Sequence, residues 1–334
     1  MKTGILSSIS AVRLTMLASV VAVVSAGSAY AEEIVLRAVS YAPPNAYEES
    51  IAIFQEYVDR VNAAAEGKLK IDWVGGPEVI GVRDQMSALR DGVVDMIVTF
   101  TAHESLVPEV GTVGVSRITP AEERDNGYFD LMDQAHAAKG VRAIGRVSTE
   151  SGFFIFSRAP LKTLEDFKGI RIRSHAGYDS FFDALGAVPI HMQISEIYPA
   201  LERGLVDAAP YPLFVHSLGI HEVADYAVAT SFWPSHTTWT YINAEKYESL
   251  PDDLKAVLHD TQVELEGEMA DIVHTMQAEE RAKLEAAGME FVELSEEDAA
   301  EFRKLADESR WKALEETLDA ETYQKIRSLI APDL

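Results

Sequence analysis

The chain has no cysteine among its 334 residues. Disulfide staples, thiolate metal sites and a cysteine nucleophile are therefore excluded. It also lacks the glycine-rich phosphate loops GxGxxG and GxxxxGK, the HExxH metal helix and the GxSxG nucleophile elbow. His216 and His221 stand five apart, off the metalloprotease spacing, and the other histidines are scattered. No metal, no cofactor and no catalytic group is expected, and the chain reads as non-enzymatic. Long apolar runs are scarce too. The apolar run at 14–27 is shorter than the roughly 20 residues that span a bilayer. It follows Lys2 and Arg13 and precedes Ala29-Tyr30-Ala31, so residues 1–31 read as a cleavable secretion signal. The mature chain should begin near Glu32.

Positive charge is the next shortage. Lys and Arg number 29 against 54 Asp and Glu, for a formal charge of -25. Such a surface repels nucleic acid and anionic membranes. Any anion it binds must be held by a local cation. The charge is uneven, however. Residues 139–173 hold eight basic and three acidic side chains, whereas residues 251–334 hold nine basic and 23 acidic ones. The acidic end reads as solvated helix faces. The basic island is the unusual feature.

Roughly 300 mature residues exceed one ordinary core and fit two domains. Short β-type runs at 34–39, 69–74 and 94–100 alternate with helical patterns around Ile51, Phe54, Val58 and Val61 and at 82–89. This β-α-β-α-β order predicts a parallel sheet with helices on its faces. A second set follows: strands at 141–147, 153–156, 170–172, 188–191 and an edge at 206–209, a helix at 178–185, and another capped by Ser195. A strand at 238–242 is placed to cross back between the sets. From Pro251 the chain reads as helical, with one helix reaching about residue 287, long enough to brace two domains, and another starting at Ser295. No flexible linker separates the two sets, so the chain must cross between them more than once. A ligand would then lie in the crevice between them.

Within the basic island, Gly169-Ile170-Arg171-Ile172-Arg173 alternates, putting both arginines on one strand face. An arginine at a strand's carboxyl end can hold a carboxylate through two parallel hydrogen bonds.

The stretch around that strand is specific. It reads Glu165-Asp166-Phe167-Lys168-Gly169-Ile170-Arg171-Ile172-Arg173, then Leu185-Gly186-Ala187-Val188-Pro189, then Ser195-Glu196-Ile197-Tyr198-Pro199-Ala200-Leu201 and Gly204-Leu205-Val206-Asp207. It resembles the periplasmic receptors of TRAP transporters, the dicarboxylate-receptor-like family, with weaker similarity over nearly the whole mature chain. The resemblance implies an α/β, two-domain periplasmic binding protein fold, type II-like. It divides the chain into residues 32–151 plus 239–278 and residues 152–238 plus 279–334, with the ligand cleft between. It also implies a receptor that binds a small organic anion in a Gram-negative periplasm and delivers it to a sodium-driven permease of one small and one large membrane subunit. A monomer is expected, with a dimer as the alternative. A binding protein of an ATP-driven importer and a periplasmic sensing module would share the architecture.

The family's carboxylate-binding arginine falls on Arg173. Two positions depart from the family pattern. Phe154 stands where many members have a second arginine, and Tyr211 where many have an asparagine. Ile194, Phe232 and Trp233 fall in segments that approach the ligand in the family. His175 or Arg146 could replace the missing cation. Losing a cation and an amide while gaining two rings favours a monocarboxylate with an apolar or aromatic body.

Overall fold

The computed structural model describes residues 33–331 apart from 105, 149, 176 and 234–237. The expected leader over residues 1–31 lies outside the described residues. The chain begins with β1 (Ile34–Ser40), α1 (Glu49–Ala64), β2 (Leu69–Gly75), α2 (Val82–Arg90) and β3 (Met96–Phe100). A 3-10 segment at Pro108–Val115 leads to α3 (Pro120–Asp125), α4 (Tyr128–Ala137) and β4 (Val141–Arg146). Then come β5 (Phe153–Ser157), β6 (Arg171–Ser174), α5 (Asp179–Ala184), β7 (Val188–His191), α6 (Ile197–Glu202), β8 (Ala208–Pro212) and β9 (Tyr226–Trp233). The chain ends with β10 (Thr238–Asn243), α7 (Ala244–Ser249), α8 (Asp252–Ala286), β11 (Glu290–Val292), α9 (Glu296–Thr317) and α10 (Ala320–Ile330).

Two sheets result. The first has the order β2-β1-β3-β10-β4, the second β11-β9-β5-β8-β6-β7. In the first, β1 runs parallel to β2 and β3, while β10 is antiparallel to both β3 and β4. In the second, β6 runs parallel to β7 and β8, and β5 antiparallel to β8 and β9. The chain therefore crosses between sheets after β4 and again between β9 and β10. The strand expected to cross back does sit in the first sheet.

Each sheet buries both faces, as the period-two side-chain alternation requires. On β3, Met96 and Val98 pack with α1 and α8, whereas Ile97 packs on the opposite side with Met86, Tyr128 and Trp239. On the second sheet, Ile155 and Ile172 join the aromatic core under α5 and α9, and Phe156 and Ala209 join the core with α6.

Helix α8 serves both halves. Leu254, Leu258, Leu265 and Met269 belong to the core of the first sheet, and Leu284 to that of the second. Its 35 residues correspond to a length of about 50 Å. Helix α10 returns to the first sheet's layer, where Tyr323, Ile326 and Ile330 pack with Met132 and Trp311.

Three local expectations are corrected. The helix expected behind a Ser195 cap opens as a 3-10 turn, Ile194–Glu196, whose cap is Gln193 in a reciprocal pair with Glu196. The strand expected as an edge at 206–209 is β8, which lies inside the sheet between β5 and β6. Strand β9, eight residues long, has no counterpart in the expected element list. Its sequence YAVATSFW mixes small and polar residues and carries no clean alternation.

Candidate functional site

Strand β6 is short and starts at the surface. Arg171, its first residue, is exposed and pairs with Asp207, with Nε and Nη2 donating at 3.0 and 2.7 Å. The Asp207 carboxylate also accepts the Arg171 backbone N–H at 2.9 Å, which fixes the register of the strand's entry. Two residues on, the same face is buried. Arg173 is 5% exposed. Its Nε donates to the Met192 carbonyl at 3.3 Å, and among the described residues no carboxylate pairs with it. Burial pulls its guanidinium below the usual value, while Tyr178 and Tyr211 stand close enough to raise it again. An arginine stays cationic under such shifts.

Three arginines of the first sheet's lobe, Arg146 buried and two others half-buried, differ. Arg146 Nη1 lies 2.7 Å from Glu123, both 2% exposed. Arg124 forks onto Glu266 at 2.6 and 2.9 Å. Arg142 forks onto Asp133. Arg146, weighed as a replacement cation, is therefore already neutralised by its own acid.

The remaining sequence-derived positions fall as follows. Phe154 on β5 stands directly across from Tyr211 on β8 in the antiparallel register. Cross-strand partners share a face, so the two substituted positions lie side by side on the face that carries Arg173. The Tyr211 hydroxyl is pushed well above its ordinary range by burial and by Glu48 and Glu49, and its oxygen lies 3.5 Å from Glu48 Oε1. His175 follows β6. Its Nδ1 accepts the Gly177 N–H at 3.0 Å and its ring centre lies 4.0 Å from that of Tyr178. Burial, then Arg173 and Arg310, pull it down to about 4, so it is neutral near pH 7 and adds no cation. Trp233 ends β9, 8% exposed, 4.9 Å from Tyr178. Phe232 is turned into the aromatic core with Phe181, Phe182 and Phe302. Ile194 is exposed, in the turn just after the Met192 carbonyl that holds Arg173.

The first sheet supplies the opposite wall, which sequence reasoning missed. The loop leaving β1 at its carboxyl end brings Tyr47, Glu48 and Glu49 to the start of α1. Glu48 Oε2 accepts the Tyr41 hydroxyl at 2.6 Å. Glu49 is fully buried, and its Oε1 accepts Ser151 Oγ at 2.5 Å and Ser148 Oγ at 3.4 Å, both in the segment crossing from β4 to β5. The Tyr47 ring lies under Lys283 Nζ at 3.8 Å and 6.0 Å from Phe214, and its hydroxyl donates to Glu279 at 3.2 Å. The two walls therefore meet at Tyr47 and at the Glu48–Tyr211 approach. A signal was available: two carboxylates opening a helix right after a first-strand loop.

Arg173 thus sits at the carboxyl end of a parallel strand, where open α/β sheets bind ligands, facing a wall from the other sheet. Among the described residues, no three His, Asp or Glu side chains gather to hold a metal. Residues 39–317 match the family model described as bacterial extracellular solute-binding protein, family 7. The chain belongs to that family. The expected likeness to TRAP receptors is met.

Among curated relatives of this family 7 chain, the C4-dicarboxylate-binding periplasmic protein DctP of Rhodobacter capsulatus is 25% identical over 317 residues, covering 87% of this chain and 89% of that protein. Among solved structures, a TRAP periplasmic solute binding protein from Desulfovibrio salexigens with bound orotic acid is similar at TM-score 0.75 and 19% identity, covering 90% of this chain and 100% of that one. DctP7, a Bordetella pertussis extracytoplasmic solute receptor binding pyroglutamic acid, matches at TM-score 0.73 and 19% identity, with 89% and 99% covered. At these identities the solved structures speak for the two-lobed fold. Among the described residues no helix is long and apolar enough to cross a membrane.

Proposed function

We propose that this family 7 chain is a periplasmic receptor that closes its lobes over a small organic acid and presents it to a sodium-coupled TRAP permease of one small and one large subunit. The lobes are residues 32–151 with 239–278 and residues 152–238 with 279–334, with α10 reaching back onto the first. The observation that carries the reading is Arg173, a buried cation with no carboxylate partner among the described residues. A buried unpaired charge is costly unless an opposite charge reaches it. A ligand carboxylate would supply that charge, and closure would strengthen the bond by excluding water. The three relatives named above bind C4-dicarboxylates, orotic acid and pyroglutamic acid, all organic acids, while other similar receptors bind ectoine or sn-glycerol-3-phosphate.

The favoured ligand is a monocarboxylate with an apolar or aromatic body. Phe154 and Tyr211, cross-strand partners, and Trp233 beside Tyr178 offer it apolar surface. His175 and Ile194 flank the same strand end, and Phe232 backs the wall from the core.

A thermal-shift screen of the mature chain against mono-, di- and hydroxy-acids, beside Arg173→Ala, tests this reading. A ligand that binds only the folded state raises the midpoint with its occupancy. A shift confined to one acid class and lost in the variant is the expected result. A shift indifferent to the substitution would overturn the role of Arg173. No shift, with no copurified acid seen by mass spectrometry, would overturn the receptor reading itself.

A further inference from the structure

The position of the second strand arginine is taken by Phe154, Arg146 is paired and His175 is neutral. A different arginine comes close to the loop that leaves β6. Arg310 projects from α9. Its Nη2 donates to the Gly111 carbonyl at 2.8 Å, on the 3-10 segment of the first lobe. Its guanidinium carbon lies 5.5 Å from the ring centre of Trp233, at the end of β9 in the second lobe. A Cβ built on Gly177 would lie 3.6 Å from Arg310 Nη1 and 2.8 Å from His175 Cε1. The guanidinium and the imidazole therefore share one side of the loop that leaves β6 just past Arg173. Both arginines act on the same two groups, His175 and Tyr178.

Like Arg173, Arg310 has no carboxylate partner among the described residues. The indole N–H of Trp233 beside it is buried and has no acceptor among those residues. A cavity of about 320 Å³ opens along Arg310, against Thr101, Val107 and Gly111 at the carboxyl edge of β3. Glu104 lines it too, but its two oxygens accept the backbone N–H groups of Leu106 and Val107. Two guanidiniums around one tyrosine repel each other, and an unpaired buried donor is costly. One acceptor-rich anion would relieve both.

We propose that Arg310 is a second ligand-binding cation of this receptor, so that the acid is held by one guanidinium from β6 and one from α9. This rests on the receptor reading above. It assigns specificity to a helix that also touches the first lobe through Gly111, and it restores from a different element the charge that Phe154 removes.

Calorimetric titration of the mature chain with benzoate, hexanoate, phthalate and succinate tests it, run on wild type, Arg173→Ala, Arg310→Ala, Arg310→Gln and Arg310→Lys. For the acid that binds wild type best, Arg310→Ala and Arg310→Gln should raise Kd by roughly tenfold or more, the size of one charge-assisted contact. Arg310→Lys should recover part of the loss, and added salt should weaken binding less in the Ala and Gln variants than in wild type. If Arg310→Ala does not fold, Arg310→Gln carries the same test. Unchanged Kd and salt dependence in the Gln variant, with binding lost in Arg173→Ala, would overturn the role of Arg310 and leave the receptor reading standing. A preference for phthalate or succinate that vanishes in Arg310→Gln would keep Arg310 as a ligand cation and overturn the monocarboxylate preference. Wild type binding none of these acids would overturn both.

Discussion

Arg173 is covered by protein without a carboxylate partner among the described residues, and two measurable consequences follow. Replacing it with Ala should cost about 2–5 kcal/mol of ligand affinity, as expected when a carboxylate loses its charged partner. Replacing it with Met should leave the ligand-free protein as stable or more stable, because a desolvated cation is removed; a urea melt of the apo protein checks this. His175 gives a third. Its folded value, about 4, lies below the ordinary 6.5. Between these values the unfolded chain binds a proton that the folded one refuses, so this contribution to stability is present above pH 6.5 and is lost as pH falls toward 4. His175→Asn should flatten that part of the melting-temperature profile. Arg173 was legible because an alternating strand and a family motif coincide on it. Arg310 was not, because on a helix crowded with acids an arginine reads as one more solvated charge. Glu48 and Glu49 were legible only as carboxylates opening a helix after a first-strand loop, because the crossing segment that Glu49 meets is set by the fold.

At the scale of elements, β4 and α8 approach so closely that only glycine fits between them. A Cβ on Gly145 would lie 2.3 Å from Glu266 Oε1 and 2.6 Å from Gln262 Cγ. Neither neighbour is free to yield. Glu266 holds Arg124, and Gln262 Nε2 donates to the Arg146 carbonyl at 2.6 Å. Gly145→Ala should therefore destabilise by about 1–3 kcal/mol, measured by denaturant melts, with ligand specificity retained. Helix α8 itself could be read to within a residue at its far end, because Leu254, Leu258 and their successors keep a helical stripe. Strand β9 could not. It is covered on both faces, so its residues have no solvent side to mark a period. The Gln193 cap was missed for another reason: the side chain that caps lies two residues before the serine that propensity prefers.

At the scale of the molecule, two three-layer lobes share α8 and two crossings, and their facing walls touch at Tyr47 and at Glu48. Tyr47 is one side chain that joins them, engaging Lys283, Glu279 and Phe214 at once. Tyr47→Ala should shift the ligand-free population toward open forms, seen as a larger radius of gyration in small-angle scattering, with faster ligand release. No change in either would mean that Tyr47 does not hold the lobes together. The fold class was legible as two α/β sets without a linker. The contacts that decide how the lobes meet were not, since they pair residues more than 150 positions apart.

The chain contains no thiol. A single cysteine introduced at Ile194, which is 41% exposed and lies two residues beyond the carbonyl that steadies Arg173, would be the one attachment point for a fluorophore on the whole molecule. Labelled there, the receptor would become an optical reporter of its own ligand, with no background labelling to subtract.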